Sequence, residues 1–493
     1  MSSTSNGFAR LDTCIADGVT SAMDKLKFFF TFLLLFSFTI YIPAATSERR
    51  FAIDVDLLIV GGTIVTMNAE REVITNGAIG ITNGKIDIMG TRNIVVKNTR
   101  PKRTINAAGK VIIPGLINTH THVPMALFRG IADDLDLQEW LTKFIFPAEA
   151  KNVNEAFVRA GTRLGLAEMI RGGTTTYCDM YYFEDAIADE TKKAGMRAVL
   201  GETVIDFPAP DNKTFDAGMS YTERFIKKWQ KDPLIVPAIA PHAPYTVSQE
   251  HLLAARDLSN RLNAPLVIHL AEANTETEFI QQKHKGMRPI EFVDSIGFLT
   301  DKTIAAHVIQ ANDSELDILK RRGVGIAHNP QSNMKLAAGT APVPAMLRRD
   351  LAVGLGTDGA ASNNDLSMWE EMDTAAKLHK LISGDPKTLS AEQAFEMATT
   401  RGARALHLDK ITGSLEVGKR ADIAIIDMDS LNQTPFYNVY SALVYSTKAT
   451  DVRTVIINGR VVMLDRRLLT LNERAIKIDA NAYREKIIKS LGN

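Results

Sequence analysis

Two histidines, His120 and His122, follow an apolar stretch in the segment VIIPGLINTHTHVPMALFRG (residues 111–130). Successive side chains of a β-strand alternate between its faces, so side chains two positions apart point the same way. The two imidazoles are therefore predicted to aim at a common point, as ligands of a metal ion would. A bare pair at this spacing is more commonly a hydrogen-bonded pair of loop histidines, and only further ligands elsewhere in the chain can decide.

Other groups that bind metals or move protons also follow apolar, strand-like runs. In a barrel of alternating strands and helices, the reacting groups sit at the carboxyl ends of the strands. Most of the ten histidines occupy such positions, which chance would not favour. The positions are His120 and His122, His242, His269 with Glu272, His307, His328, and Asp358.

Zinc is the metal that best suits this set, because it prefers neutral imidazole and carboxylate ligands and leaves one coordination position to water in catalytic sites. The predicted ligands are His120, His122, His269 and Asp358. Such a metal lowers the pKa of a bound water molecule towards about 7. The only cysteines, Cys14 and Cys178, cannot build a disulfide framework or a cysteine-rich zinc site.

Three further side chains are predicted to serve the same cavity. Glu272 follows His269 by three residues and can transfer protons there. His307 can orient the water or polarise the group that is attacked. His328 either supports the rim of the barrel or touches the substrate, and both interpretations stay open.

Eight strand-like runs, separated by helical patterns, must position these groups. Over roughly 300 residues this alternation predicts a (β/α)8 barrel, placed at residues 111–410. The first run is read as one buried strand with a break at Pro114-Gly115. The runs are 111–119, 174–179, 197–202, 234–240, 265–271, 303–307, 324–328 and 352–357.

The segments before and after the barrel share a different sequence pattern. Residues 51–110 and 411–493 contain short alternating strands punctuated by Gly-Gly and Asn-Gly, as in hairpins. They are predicted to assemble one small composite β-sandwich, with a helix at the C-terminus.

Residues 1–50 are interpreted as an extension outside the fold. The apolar run from Phe28 to Ile42 has the length of a signal-peptide core and falls short of the roughly 20 residues of a membrane span. A secretory signal, an anchor that contacts a membrane through residues 28–42, and an extension from a wrongly assigned start codon stay open. Lysine plus arginine and aspartate plus glutamate both number 57, so no net field attracts nucleic acid.

Five segments resemble the motifs of the amidohydrolase superfamily and, within it, of the 5-methylthioadenosine/S-adenosylhomocysteine deaminases. The resemblance runs from about residue 55 to the C-terminus and leaves only the N-terminal extension uncovered. The segments are PGLINTHTHVPMALFRGIADDLDLQEWL, APHAPYT, HLAEANTE, AHNPQSNMKLAAGTAPVP and GTDGAASNND.

The resemblance implies a metal-dependent hydrolase that deaminates the adenine ring at C6 and releases ammonia. It implies one divalent metal, usually zinc, held by the four predicted ligands. It also implies that His242 contacts the substrate, and a histidine at this position favours a site with a single metal ion. Glu272 exchanges protons with the purine, His307 assists at the metal water, and Asp358 passes the water proton to the amine. Glu149, in FPAEAK, matches a residue that holds ribose hydroxyls.

The segment after the third strand departs from the pattern of some relatives, which carry arginines there. In GETVIDFPAPDNKTFDAGMSYTER no arginine occurs before Arg224, so an amino-acid carboxylate has no guanidinium partner. We therefore expect methylthioadenosine or adenosine to be preferred over S-adenosylhomocysteine.

Two rival functions stay open. The first rival is a guanine deaminase or chloro-triazine hydrolase, which would have no use for a ribose-binding Glu149. The second is a non-catalytic scaffold, which would need neither the metal ligands nor Glu272. The architecture of the other zinc deaminases requires a Pro-Cys-x-x-Cys motif, which the chain lacks. A role in purine salvage favours a cytoplasmic location for the catalytic domain, whereas residues 28–42 favour attachment to a membrane or secretion. Whether the protein forms a homo-oligomer stays open.

Overall fold

The computed structural model describes residues 52–491. The first part of this range forms short strands and one helix, rich in the β-branched residues that suit a pleated sheet. These elements are β1 (Ile53–Val55), β2 (Leu57–Val65), β3 (Val73–Thr82), β4 (Lys85–Thr91), α1 (Arg92–Lys97), β5 (Thr99–Pro101), β6 (Thr104–Asn106) and β7 (Lys110–Pro114).

Eight parallel strands in the middle of the chain form the predicted barrel, and they pair in chain order. Most of their residues are buried on both faces, as expected where helices cover a parallel sheet. The strands are β8 (Leu116–Thr121), β9 (Thr174–Tyr181), β10 (Arg197–Val204), β11 (Ile235–Pro241), β12 (Leu266–Leu270), β13 (Thr303–His307), β14 (Gly325–His328) and β15 (Ala352–Leu355).

The ring is closed between β8 and β15 by hydrogen bonds around the end of β15. The backbone N–H of Asp358 donates to the carbonyl of His120 at 2.9 Å. The side chain of Asn118 donates to the Thr357 hydroxyl at 2.7 Å and accepts from the Thr357 backbone at 3.0 Å. The first and last strands thus meet beside the predicted metal ligands.

Helices follow the strands, and their ends carry the expected caps. Asn154 caps α4 (Glu155–Arg171) through a 3.1 Å hydrogen bond from the Phe157 N–H, and Gly323 ends α10 (Asp313–Arg322) in the left-handed conformation. The helices are α2 (Leu137–Glu139), α3 (Phe146–Asn152), α4 (Glu155–Arg171), α5 (Glu184–Ala194), α6 (Phe215–Trp229), α7 (Gln249–Leu262), α8 (Asn274–Lys283), α9 (Pro289–Ser295), α10 (Asp313–Arg322), α11 (Pro330–Lys335), α12 (Val343–Arg348), α13 (Ala360–Asn363), α14 (Met368–Ser383), α15 (Ala391–Met397) and α16 (Thr400–Ala405).

Both ends of the described range contribute to a second sheet. The C-terminal elements are β16 (Ile423–Asp427), α17 (Val439–Ser441), β17 (Val452–Ile457), β18 (Arg460–Leu464), β19 (Arg467–Leu468) and α18 (Glu473–Leu491). The main strand order of the sheet is β19-β18-β17-β16-β7-β2-β3-β4, with β6 paired to β2, so the predicted composite β domain is confirmed.

The interpretation of the first run as one strand was wrong. Its two halves lie in different sheets: β7 pairs with β16 and β2, whereas β8 pairs with β9 of the barrel. The chain crosses between the sheets at Gly115. A Cβ atom there would lie 2.1 Å from the Thr175 side chain, so the crossing has room only for glycine. Val111 and Ile113 of β7 belong to the same buried apolar cluster as the barrel.

The C-terminal helix α18 packs on α3 and α4, near the end of the barrel that carries the predicted site. The Ser490 hydroxyl accepts a hydrogen bond from the Asn152 amide at 2.8 Å, and the Ser490 carbonyl accepts one from Lys151 at 3.0 Å. Arg171 of α4 pairs with Glu473 at 2.7 Å. The two Ser490 contacts fix the end of α3, and the Arg171–Glu473 pair ties α18 to the end of α4.

Within residues 52–491, no helix is both long and apolar enough to cross a membrane. The predicted targeting or anchoring segment, residues 28–42, lies outside the described residues.

Candidate metal centre

The structure brings the four predicted ligands together at the carboxyl end of the barrel. The Nε2 atoms of His120 and His122 lie 3.5 and 3.3 Å from Oδ1 of Asp358. Nε2 of His269 lies 3.3 Å from Nε2 of His122. His307 joins the cluster, since His120, His269 and His307 each offer a ligand atom within 4.8 Å of the others.

Backbone carbonyls orient two of these imidazoles. Nδ1 of His122 lies 2.6 Å from the Met180 carbonyl, and Nδ1 of His269 lies 2.9 Å from the His242 carbonyl. A carbonyl oxygen only accepts hydrogen bonds, so each Nδ1 carries the proton and each Nε2 keeps its lone pair for the cluster. Outer hydrogen bonds of this kind are typical of histidines that bind metals.

His120 is the clearest indication that a cation belongs here. Its ring is fully buried, yet neither ring nitrogen has a hydrogen-bond partner. Buried polar groups are rarely left unpaired. Burial lowers the pKa of His120 to about 4, so the ring is neutral and can donate its lone pair at neutral pH. The residues of this cluster therefore fit a divalent metal ion.

The electrostatics of Asp358 agree with this assignment. Burial opposes its ionisation, but the adjacent imidazoles of His120 and His122 outweigh burial and hold the pKa of Asp358 well below its usual range. The carboxylate beside His122 likewise outweighs burial and raises the pKa of His122 to about 9. Ligation requires neutral imidazole, so a metal ion and a proton compete for the Nε2 atom of His122.

Three donors hold the Asp358 carboxylate in place. Oδ1 accepts from the Gly359 N–H at 2.7 Å, and Oδ2 accepts from the hydroxyls of Ser332 and Ser362 at 2.6 and 2.9 Å. The backbone of Asp358 has a φ of 60°, a left-handed conformation that non-glycine residues adopt at a cost. The carboxylate is thereby fixed before any ligand binds.

Glu272 lies beside the cluster, with Oε1 3.6 Å from Nε2 of His307. The backbone N–H groups of Ala271 and Glu272 donate to the carboxylate of Glu276 at 3.0 and 2.8 Å, which fixes the turn after β12. Burial raises the pKa of Glu272 above its ordinary value, so its carboxyl group keeps a proton closer to neutral pH. This suits a group that gives and takes protons.

A cleft opens above the cluster and contains the predicted substrate contacts Glu149 and His242. Nδ1 of His242 lies 2.9 Å from the Thr246 hydroxyl, and burial lowers the pKa of His242 to about 3, so the ring is neutral. Among the described residues that line the cleft, none is lysine or arginine.

Sequence reasoning missed the apolar wall of this cleft. The wall is formed by the segment that connects β8 to α4, which includes a π-helical stretch, Trp140–Ile145. Its side chains are Leu137, Trp140, Leu141, Ile145 and Phe146. Their spacing is that of any helix facing a core, so no signal in the sequence separates a binding wall from ordinary packing.

Tyr181, at the end of β9, was also missed. Its hydroxyl donates a 2.7 Å hydrogen bond to Glu149 Oε1, and both side chains line the cleft. Burial raises the pKa of Glu149 to about 7, against the opposing effect of this hydrogen bond.

His328 does not line the cleft. Its Nε2 lies 3.1 Å from Nε2 of His379 on α14, and both rings are buried. Of the two interpretations left open for His328, the structure favours support of the barrel rim.

A parallel barrel with histidines and an aspartate converging at its carboxyl end defines a hydrolase of the metal-dependent type. The chain belongs to the amidohydrolase family, whose model matches residues 111–462. The family predicted from the sequence motifs is thereby confirmed.

Three similar proteins illustrate the relationship. A 5-methylthioadenosine/S-adenosylhomocysteine deaminase of Syntrophobacter fumaroxidans is 47% identical over 85% of this chain and 95% of its own length. A 5'-deoxyadenosine deaminase of Methanosarcina barkeri is 41% identical over 88% of this chain and 98% of its own. The crystal structure of an adenosine deaminase of Xanthomonas campestris with bound zinc superposes with a TM-score of 0.87, at 37% identity over 89% of this chain and 100% of that one.

Proposed function

We propose that this protein is a zinc-dependent deaminase that hydrolyses the amino group at C6 of adenine nucleosides with a small, uncharged 5' substituent, 5'-methylthioadenosine foremost. The observation that carries the proposal is the arrangement of one cleft: the His/Asp cluster with Glu272 at its floor, and Glu149 beside an apolar wall. The names of the three similar proteins described above, each a deaminase of an adenosine derivative or of adenosine, support it.

The metal is proposed to be a single zinc ion held by four protein ligands. These are His120, His122, His269 and Asp358. When bound, zinc acts as a Lewis acid that lowers the pKa of water from 15.7 to about 7. A neutral imidazole, as at His120, and an ionised carboxylate, as at Asp358, are ligand types that zinc prefers.

The protein's own groups would then move the protons. Glu272 donates a proton to N1, which makes C6 more electrophilic, while His307 orients the attacking water. The water oxygen bonds to C6, and Asp358 accepts one of its protons and passes it to the amine. The C6–N bond breaks, ammonia leaves, and the second water proton restores Glu272 as the C6 carbonyl forms.

The substrate would be held at both ends of the cleft. The neutral His242 accepts or donates a hydrogen bond near the base, and the free oxygen of Glu149 accepts from ribose hydroxyls. The apolar wall would cover the 5' substituent.

An ammonia-release screen over adenine nucleosides, guanine and chlorinated triazines tests this function. We expect ammonia from methylthioadenosine and adenosine, loss of activity after chelation, and recovery with zinc. Ammonia from guanine, or chloride from a triazine, as the best reaction would replace the proposal by one of its rivals. A zinc-loaded protein inert on every compound would favour the non-catalytic scaffold.

The charge of the 5' substituent is predicted to set the ranking of nucleosides. The cleft lining offers no cation to a carboxylate, so S-adenosylhomocysteine must desolvate its amino-acid group without a charge-assisted partner. We expect its kcat/KM to be about tenfold or more below that of methylthioadenosine. 5'-Butylthioadenosine, which has the same four-carbon chain on sulfur without the charges, should retain most of the activity. An optimum on S-adenosylhomocysteine would contradict the prediction.

A further inference from the structure

Three consecutive residues at the end of β9 hold different parts of the cleft. Oδ1 of Asp179 accepts from the Val123 N–H at 2.6 Å, next to a predicted metal ligand. The Met180 carbonyl lies 2.6 Å from Nδ1 of His122. The Tyr181 hydroxyl donates to Glu149 at 2.7 Å. One strand end therefore connects the metal cluster to the proposed ribose contact.

Glu149 depends on Tyr181 for its position. Its carboxylate is buried in the cleft wall, and no other side chain among residues 52–491 donates a hydrogen bond to it. One oxygen is occupied by the Tyr181 hydroxyl, and the other is left for a ligand. A buried carboxylate with a single donor is sensitive to the loss of that donor.

Tyr181 is itself held firmly. Its backbone N–H donates to Glu184 Oε1 at 3.0 Å, and its ring lies 5.0 Å from the Tyr182 ring and 6.4 Å from the His122 ring, between centroids. The phenol is therefore anchored on the strand that also orients His122, and it transmits that fixed geometry to Glu149.

We infer that Tyr181 is a positioning residue that sets the preference for an intact ribose, by holding one oxygen of Glu149 so that the other meets the sugar hydroxyls. This inference rests on the proposed function. It assigns to Tyr181 a role in substrate specificity, separate from proton transfer and from the metal.

The test compares adenosine with 2',3'-dideoxyadenosine in the wild-type protein and in Tyr181→Phe. The ratio of the two kcat/KM values measures the preference for the diol. We expect Tyr181→Phe to reduce this ratio by about tenfold, because a hydrogen bond to a charged group is lost, with kcat on the dideoxynucleoside nearly unchanged. Tyr437→Phe removes the hydroxyl of an exposed tyrosine that does not line the cleft, and it should leave the ratio as in the wild type.

A double-mutant cycle separates this role from general damage to the fold. In a Glu149→Gln background the sugar contact is already altered, so adding Tyr181→Phe should change the diol preference by much less than it does alone. Equal effects in both backgrounds would overturn the inference, and so would a Tyr181→Phe protein that keeps the full preference. If the wild-type protein released no ammonia from any adenine nucleoside, the proposed function itself would fail, which is a different result.

Discussion

Replacing Asp358 by asparagine is expected to lower kcat for deamination by about 10⁴-fold, the largest effect of any substitution considered for this protein. Two roles are lost together. The amide cannot accept the proton of the attacking water, and it is a poorer metal ligand than the carboxylate that lies 3.3 Å from His122. The substitution preserves the shape of the side chain, so the fold should survive.

Three measurements check this expectation: kcat by ammonia release, zinc per chain by elemental analysis, and Tm. Asp317→Asn is the matched control, since Asp317 pairs with Arg349 at 2.8 Å on the surface, and it should behave as the wild type. An Asp358→Asn protein with more than about a tenth of wild-type kcat would remove Asp358 from the mechanism.

Glu272→Gln is expected to reduce kcat by about 10³-fold and to leave zinc binding intact. The amide keeps the size of the carboxyl group, but it cannot supply the proton that N1 requires. Glu272 is not one of the proposed ligands, so the effects on chemistry and on metal content should separate. KM should change little, because the contacts of Glu149 and His242 remain.

The control lies six residues further along the chain. Glu278 is exposed on α8, and Glu278→Gln should leave both kcat and zinc content unchanged. If Glu272→Gln lost its zinc together with its activity, Glu272 would be a ligand, and the division of roles at the cluster would have to be redrawn.

The barrel and its central residues were predictable because the pattern of apolar strands locates the carboxyl end of each strand. Side chains that are far apart in the sequence meet at these strand ends. His120, His269 and Asp358 lie more than 80 positions apart in succession, yet each lies at or just beyond the carboxyl end of a buried strand. Their catalytic and metal-binding roles stay predictions until the variants above are measured.

The remainder of the site could not be predicted for two physical reasons. Tyr181 ends β9 like any buried aromatic residue, and its contact with Glu149 depends on how a loop of about thirty residues after β8 folds back, which periodicity does not encode. The crossing at Gly115 was hidden because the residues on its two sides, Val111–Ile113 and Leu116–Ile117, are equally apolar and buried, so nothing in the sequence marks the change of sheet.

That crossing bears on how the polypeptide can be divided. A fragment that began at Leu116 would lose β7, and with it the apolar cover that Val111 and Ile113 give to the barrel. The edge of β16 that pairs with β7 would be left open, and open edges of this kind recruit other chains. A fragment that begins at Leu116 should therefore aggregate, so the small sheet protects the barrel from association with other chains.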